Sequence, residues 1–449
     1  MMNRNRWMAT TATVALSAAL VAGCGVPPIA SPSTTGNNTQ PNQANQANQA
    51  ANQQTNGQGG QASTDPNATI TFYEAMSGSA ASELNSLTNT FMSQHPSIRV
   101  NLVFNGSFTT EQQKLNAAIA ANQPPTIAEV RDTWETDYYN QGLLQPLGGL
   151  LSQGTVSDMI PVLKNDNSYN GHLVSAPFTV SADVLYYNTD DFSKAGITSP
   201  PTTWSQLEQD AIQISRATGV PGLGFQANWP TFEMFLNQAG GQVLSTDQKQ
   251  ASLNSAAGRN TLAYLNKLVK QDSAAWVVPP AGYLSDGFNT NKYAMTIDST
   301  TSIQFMTNNN THWSVAPLPK GLQSAVPATG TNIVLFKDAS ASEQQAAAEY
   351  IDFLMSKDNT IGWAEGTGYL PVRQSALTDP AWESFVSHNP NVGIAPTELQ
   401  DAYFSPRLTA LSDVSDALNT QLAACINGNQ STTATLQNMT TIVNQALSH

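Results

Sequence analysis

Cys24 is the first residue of this sequence whose type and setting indicate a specific reaction. It ends the sequence Val21-Ala22-Gly23-Cys24 and follows a basic N-terminus and an apolar stretch over residues 12–21. That stretch is too short to span a bilayer as a mature helix. Small residues followed by Cys at the end of a signal peptide predict acylation of the thiol and cleavage before it. Residues 1–23 are therefore a predicted lipoprotein signal peptide, and an ordinary secretory signal with a chance cysteine is the alternative.

Few other side chains are spaced for catalysis or metal binding. The histidines at 95, 172, 312, 388 and 449 are scattered and no cysteine cluster accompanies them, so we predict no metal site and no cofactor. The sequence has neither a Gly-x-Ser-x-Gly motif nor a phosphate-binding P-loop. Residues 222–227 match a dinucleotide-binding motif by letter only. Because Trp229-Pro230 follows, we predict a turn and then an irregular segment. A carboxylate pair suited to glycoside hydrolysis stays open, since any two acids can meet in the fold.

The composition excludes one class of partner. The 449 residues include 18 Lys and Arg against 32 Asp and Glu, for a net charge of −14. Because the phosphate backbone requires positive charge, we expect no nucleic-acid partner. Charged residues are only 11% of the chain, against roughly 25% in ordinary soluble domains. The low charged fraction reflects either compositional drift or adaptation to acidic surroundings outside the cell. Once Cys24 is acylated, Cys425 has no disulfide partner, and its apolar neighbours indicate a small buried side chain.

Two regions of different character follow the signal peptide. Residues 24–66 hold the acylated Cys and a linker of Pro-Pro, Asn-Gln-Ala repeats and a glycine patch. This composition predicts disorder and a tether about 40 residues long, spanning roughly 35 Å. From about Thr69 onward, strands with alternating apolar residues and amphipathic helices follow in the order β-α-β-α-β. That order predicts an α/β fold with a mostly parallel sheet, and the length favours two lobes.

Several segments of the chain resemble one family. The motifs are 171–194, reading GHLVSAPFTVSADVLYYNTDDFSK, its continuation into Pro-Pro-Thr-Thr-Trp204, the 113–147 stretch, Tyr293-Ala-Met-Thr-Ile and Thr367-Gly-Tyr-Leu-Pro-Val372. Together they resemble the extracellular solute-binding proteins of ABC importers, family 1, the maltose-binding-protein class. The spacing is most similar to the glycerol-3-phosphate-binding branch. The resemblance covers residues 69–449.

The resemblance implies a periplasmic-binding-protein-like fold of type II, in which two hinged α/β lobes close on a ligand cleft. The implied N-terminal lobe comprises residues 67–178 and 331–372, and the implied C-terminal lobe comprises residues 179–330 and 373–449. We expect the chain to cross the hinge near 177–183, near 329–333 and after Leu370-Pro371.

The resemblance also implies a set of ligand contacts, carried over position by position: Phe108, Asp132, Ser181, Trp229, Ser299, Gly330, Tyr369 and Arg407. Trp and Tyr offer flat apolar faces to a polyol, and an Arg fork suits phosphate. Each position has a structural alternative. Asp132 could cap the following helix, the serines could belong to hinge turns, Trp229 and Tyr369 could be core residues, and Arg407 could form an ion pair.

Three positions depart from the glycerol-3-phosphate branch. Phe108 stands where that branch usually has Tyr, Gln226 where it has a second Trp, and Asp132 where it has Glu. These differences leave glycerophosphodiesters and sugars open as ligands beside glycerol 3-phosphate.

We therefore expect a lipid-anchored, monomeric receptor on the outer face of the cytoplasmic membrane. It would deliver a sugar, polyol or glycerol-phosphate compound to the transmembrane subunits of an ABC permease, without catalysis. A surface glycosidase or phosphodiesterase is the alternative, and an adhesin is a third possibility.

Overall fold

The computed structural model describes residues 66–306 and 312–448. The predicted signal peptide and Cys24, and the linker as far as residue 65, lie outside these residues. The strands are β1 (Ala68–Glu74), β2 (Ile98–Phe104), β3 (Ile127–Val130), β4 (Ser168–Tyr169), β5 (His172–Leu173), β6 (Ser175–Asn188), β7 (Leu223–Gln226), β8 (Ala275–Val278), β9 (Met295–Ser299), β10 (Trp313–Ala316), β11 (Val326–Leu335) and β12 (Ala402–Tyr403).

Helices separate these strands and cover the sheet. They are α1 (Gly78–Gln94), α2 (Phe108–Ala120), α3 (Asp132–Asn140), α4 (Gln153–Asp158), α5 (Pro161–Asp166), α6 (Thr189–Ala195), α7 (Trp204–Thr218), α8 (Trp229–Gln238), α9 (Ala256–Asn266), α10 (Leu284–Asn289), α11 (Ala341–Leu354), α12 (Lys357–Thr367), α13 (Pro380–His388), α14 (Ile394–Glu398), α15 (Thr409–Asp413), α16 (Ser415–Ile426) and α17 (Thr432–Ala446). A π-helical turn covers Lys267–Gln271, and 3-10 turns cover Thr300–Phe305, Gln374–Ala376, Pro390–Gly393 and Leu399–Asp401. Among the described residues, no helix is both long and apolar enough to cross a bilayer.

One long strand, β6, belongs to both halves of the main sheet, and β11 pairs along its first part. The strand order of the sheet is β2-β1-β3-β11-β6-β9-β7-β8, with β10 on β6 and β12 on β11. The first part of β6 pairs with β11 from Ser175 to Ala182, and the second part pairs with β9 from Asp183 to Tyr187. The place where β6 changes partner, at 182–183, is the crossing. It divides the sheet into one half around β1, β2 and β3 and another around β7, β8 and β9.

The core of the first half is built from strand and helix residues that the apolar pattern of the sequence marks. Phe72 on β1 and Phe91 on α1 are fully buried against Tyr350 of α11, with ring centroids 6.2 and 5.0 Å from the tyrosine ring. The Tyr350 hydroxyl shares a 2.6 Å hydrogen bond with Thr88, which satisfies its polar end. Each such ring contributes about 1.5–3 kcal/mol through burial.

Local signals in the sequence set many of these boundaries. Ser340 and Glu343 form the predicted capping box at the start of α11. The predicted glycine end of α7 is confirmed, because Gly219 adopts a φ of 74°. The β-α-β-α-β order of residues 68–140 is confirmed as well.

The prediction for residues 222–230 is wrong. Strand β7 replaces the predicted turn, and helix α8 begins at Trp229, where an irregular segment was expected. The Asn228 side chain accepts from the amide of Thr231, and Pro230 occupies the first helical turn, where a missing N–H costs nothing. The Trp-Pro pair is therefore a helix start.

Candidate functional site

Four of the expected ligand contacts lie around β6, close to the point where it changes partner. Ser181 pairs with Thr329, and the two hydroxyls lie 3.2 Å apart. Ser299 at the end of β9 is paired with Asp183. The Tyr369 hydroxyl bonds to Thr179, and the amide of Leu370 donates to the carbonyl of Val180. Small polar side chains from four segments are therefore concentrated at the crossing.

Gly330 is the fourth of these residues, and it allows β6 and β11 to approach closely. A Cβ at this position would lie 1.7 Å from the carbonyl oxygen of Thr179. The β6–β11 register also shifts between Thr331 and Asn332. The glycine is thus required by the backbone of the crossing itself.

Asp132 and Arg407 belong to one ionic cluster beside α3. The Arg407 guanidinium lies 2.5 Å from Asp166 and 3.7 Å from Glu135, and its carbon is 5.0 Å from the centre of the Tyr169 ring. Asn332 of β11 donates to Asp132 at 2.9 Å and to Glu135 at 2.6 Å. The cluster ties β11, α3, the end of α5 and the segment before α15 together.

Asp132 does not cap α3. Arg131 occupies the N-cap position and makes no capping bond through its side chain, while Asp132 is the first helical residue. The Asp132 carboxylate instead accepts from Asn332. The helix N-terminus still favours this negative charge.

The ionic cluster holds more acid than base. Burial raises the pKa of Glu135 to about 7 against the lowering effect of Arg407. Burial and the Asp132 carboxylate raise the pKa of Asp166 to about 7. For Arg407, burial is outweighed by the carboxylates of Asp166 and Glu135, so its pKa rises. Arg407 therefore stays charged while the surrounding acids compete for it.

Phe108 and Trp229 occupy different surroundings. Phe108 begins α2, where the Arg131 guanidinium carbon lies 4.6 Å from its ring centre and Trp134 contacts its edge. Trp229 is only 8% exposed and packs on Phe232 in a core cluster with α16 and α17 residues. In this conformation the structure brings Phe108 to the ionic cluster through Arg131 and leaves Trp229 in the core.

Two cavities open beside the crossing, in the half of the sheet around β7 and β9. The first has a volume of about 170 Å³, and its lining includes Asp183, Phe225, Gln226, Phe235 and Asp298. The second has a volume of about 780 Å³ and shares Gln226, Leu284 and Asp298 with the first. Tyr283 and Phe305 line the second cavity, and they are 75% and 64% exposed. Burial and Asp298 raise the pKa of Asp183 to about 7.

A third group of acids is fully enclosed near the carboxyl ends of β1 and β3. Thr331 donates to Glu129 at 2.6 Å, and the amide of Met76 donates to Glu74 at 2.7 Å. Both carboxyl oxygens of Glu111 lack a partner, and burial with the charges of Glu129 and Glu74 raises its pKa to about 9. Glu111 is therefore neutral at pH 7. No group of three His, Cys, Asp or Glu in the described chain is arranged to hold a metal ion.

Several residues of these clusters were missed by sequence reasoning. Glu135 and Asp166 surround Arg407, and Asp183, Asp298 and Tyr283 line the cavities. Asp183 and Asp298 each lie within two positions of an expected contact, Ser181 and Ser299. For Asp183 and Asp298, an acid inside an otherwise apolar strand was the available signal.

Comparison with known proteins places this geometry in one family. The sequence model described as bacterial extracellular solute-binding protein matches residues 86–390. The sn-glycerol-3-phosphate-binding periplasmic protein UgpB of Pectobacterium atrosepticum is 26% identical over 369 residues, covering 76% of this chain and 80% of its own length.

Solved structures share the fold. The cyclic α-maltosyl-1,6-maltose binding protein of Arthrobacter globiformis matches with a TM-score of 0.76 at 23% identity, over 85% of this chain and 99% of that one. UgpB of Mycobacterium tuberculosis in complex with glycerophosphocholine matches with a TM-score of 0.73 at 23% identity, over 85% and 98%. These neighbours confirm the expected two-lobed α/β fold. The family match extends over more than half of the sequence, and this chain accordingly belongs to the bacterial extracellular solute-binding proteins.

Proposed function

We propose that this protein is a receptor of an ABC importer that binds a sugar, polyol or glycerophosphate compound in a cleft at the β6–β11 crossing and delivers it to the permease. One observation carries the proposal. Polar side chains from both halves of the sheet meet where β6 changes partner, beside cavities of about 170 and 780 Å³. Cavities beside a strand that two halves share suit binding with closure.

The proposed lobes follow the division of the sheet. Residues 67–178 and 331–372 would form the N-terminal lobe, and residues 179–330 and 373–449 the C-terminal lobe. The change of partner at 182–183 and the β11 register shift at 331–332 support this division. Arg407 would then reach from the second lobe to Asp166 and Glu135 of the first, as an ion pair across the cleft.

The proposed ligand contacts remain Phe108, Asp132, Ser181, Trp229, Ser299, Gly330, Tyr369 and Arg407. Ser181 and Ser299 lie within two positions of the cavity residues Asp183 and Asp298, which supports their assignment. A phosphate on Arg407 would have to replace the Asp166 carboxylate, 2.5 Å from the guanidinium. A core position such as that of Trp229 would need the lobes to open before the ring could meet a ligand.

The proposed anchor is a lipid on Cys24, with residues 24–66 as the tether. Cys24→Ser should move the protein from the membrane fraction to soluble or uncleaved forms. Processing and membrane association like those of wild type would refute the anchor without affecting the receptor proposal.

A binding screen tests the function. Purified protein is titrated by calorimetry with maltose, glycerol, glycerol 3-phosphate and glycerophosphocholine, and each mixture is analysed for products. We expect saturable binding of at least one compound, a higher melting temperature and no turnover. Turnover would support the hydrolase alternative and refute the receptor.

A further inference from the structure

Three buried oxygen atoms lie in a row between α3, β6 and the residue that follows α5. Oγ of Ser175 is 2.6 Å from Oε1 of Glu135 and 2.7 Å from Oδ1 of Asn167. None of the three residues is more than 1% exposed. Both distances are those of good hydrogen bonds between oxygen atoms, so each of the two contacts requires a hydrogen atom.

The side chains as usually charged supply only one of these two hydrogens. The Ser175 hydroxyl carries a single hydrogen and can close one contact, not both. Asn167 presents its oxygen to Ser175, because its amide nitrogen donates to the carbonyl of Leu163 at 2.9 Å. An ionised Glu135 has no hydrogen to give. Two buried oxygen atoms left facing each other without one would incur the penalty of unsatisfied polar groups.

The geometry assigns the missing hydrogen to Oε1 of Glu135, so that Glu135 is a neutral acid that donates to Ser175, and Ser175 in turn donates to Asn167. The other oxygen of Glu135 accepts from the amide of Asn332 at 2.6 Å. The same amide nitrogen donates to Asp132 at 2.9 Å. The neutral acid is therefore a positioning residue, which fixes the Asn332 amide that holds Asp132.

The charged groups around Glu135 are compatible with a neutral acid. Arg407 lies 3.7 Å from Oε1, and its guanidinium is engaged by Asp166 at 2.5 Å. Asp132 on the same helix opposes ionisation of Glu135, and Tyr169 of β4 is uncharged because burial raises its pKa. Burial outweighs the effect of Arg407 and raises the pKa of Glu135 to about 7. The proton is thus held in acid and lost as the pH rises through 7.

This inference goes beyond the proposed function, and one consequence rests on that function. A neutral Glu135 leaves Asp166 as the ionised partner nearest to Arg407 among the described residues. A ligand group at Arg407 would then displace one carboxylate. At higher pH the ionised Glu135 would become a second competitor for the guanidinium.

Glu135→Gln is the matched test, because the amide has the shape of the neutral acid. Its oxygen can accept from Asn332 and its N–H can donate to Ser175. Melting temperatures of the ligand-free proteins are measured by calorimetry at pH 5 and pH 8. Wild type loses stability as the buried proton leaves, whereas the amide does not titrate. We therefore expect the variant to gain about 3 °C relative to wild type between pH 5 and pH 8.

An infrared difference spectrum reports the proton directly. Wild type minus Glu135→Gln should show a protonated carboxyl band at pH 5 that is lost at pH 8. A merely structural role of Glu135 would produce no such band. An ionised Glu135 paired with Arg407 predicts instead a variant that melts below wild type at both pH values.

Two further variants complete the test. Ser175→Ala removes the middle oxygen, and its loss of melting temperature should be larger at pH 5, where the hydrogen-bonded row exists, than at pH 8. A charged Glu135 predicts the reverse, so this variant decides the matter if Glu135→Gln does not fold. Glu365→Gln, at an exposed position on α12, is the control and should keep the wild-type pH profile. Absence of the carboxyl band, or a Glu135→Gln protein that melts below wild type at pH 8, would overturn the inference. Neither result depends on a ligand, so the proposed function is tested separately.

Discussion

Removing Arg407 should destabilise the ligand-free protein, whatever the ligand is. The guanidinium is the partner of Asp166 at 2.5 Å and of Glu135 at 3.7 Å, and its side chain is only 15% exposed. Arg407→Ala leaves these buried carboxylates without their cation. Breaking a buried pair by removing one partner costs about 3–5 kcal/mol. For a chain of this length that loss lowers the melting temperature by about 5 °C, because a large unfolding entropy reduces the shift per kcal/mol.

The pH dependence identifies the cause of the loss. Burial raises the pKa of Glu135 and of Asp166 to about 7, and both rise further once Arg407 is absent. As the pH falls through these raised pKa values, the orphaned acids take up protons and the penalty shrinks. The difference between wild type and Arg407→Ala should therefore be large at pH 8 and less than about half as large at pH 5.

Differential scanning calorimetry at these two pH values measures the effect. Arg407→Lys keeps the charge but loses the planar fork, so it should fall between the other two proteins. Arg216→Ala, at an exposed position on α7, is the matched control and should melt like wild type. If Arg407→Ala melts within about 1 °C of wild type at both pH values, the guanidinium does not hold the acids in place, and its assignment to the ligand alone becomes the better one.

Three more predictions follow from the packing. Gly330→Ala should lower the free energy of unfolding in urea by at least about 3 kcal/mol, since its Cβ would lie 1.7 Å from the Thr179 carbonyl oxygen. Gly362→Ala is the control, because its Cβ would contact no neighbouring atom within 4 Å, and it should be neutral or stabilising. Trp229→Ala should lower the free energy of unfolding of the ligand-free protein by about 3–5 kcal/mol because it removes a core ring. An unchanged melting temperature would instead favour Trp229 as a ligand contact. Glu111 has a pKa raised from 4.5 to about 9, so its contribution to stability is present below pH 4.5 and lost as the pH rises through 9. Glu111→Gln should flatten the melting temperature between pH 6 and 9, and an unchanged slope would contradict the burial argument.

The order of elements in the first half of the fold could be predicted from local patterns. Alternating apolar residues in β1 and β2, the Ser340 capping box and Gly219 each act over a few residues, so the sequence shows them directly. The full length of β6 could not be predicted, because only Val184 to Tyr187 reads as a buried strand on its own. Residues 175–183 become strand through pairing with β11, which lies about 150 residues away in the chain.

The residues of the candidate site could likewise be predicted only in part. The resemblance to the family supplied Asp132 and Arg407, and the structure brings them into one cluster. Their partners Glu135, Asp166 and Asn332 come from three separate elements, and nothing local in the sequence relates them. The sequence also allowed Asp132 to be a helix cap. The contact that decides its role is the hydrogen bond from Asn332, 200 positions away in the chain.

Strand β6 is a mechanical link between the two halves of the sheet. It passes through the change of partner without a loop, so any rotation of one half of the sheet against the other would twist it. In the proposed receptor, closure on a ligand would then have to offset the cost of that twist. A substitution anywhere along 176–182, even one that touches no ligand, would thereby change how long the solute stays bound.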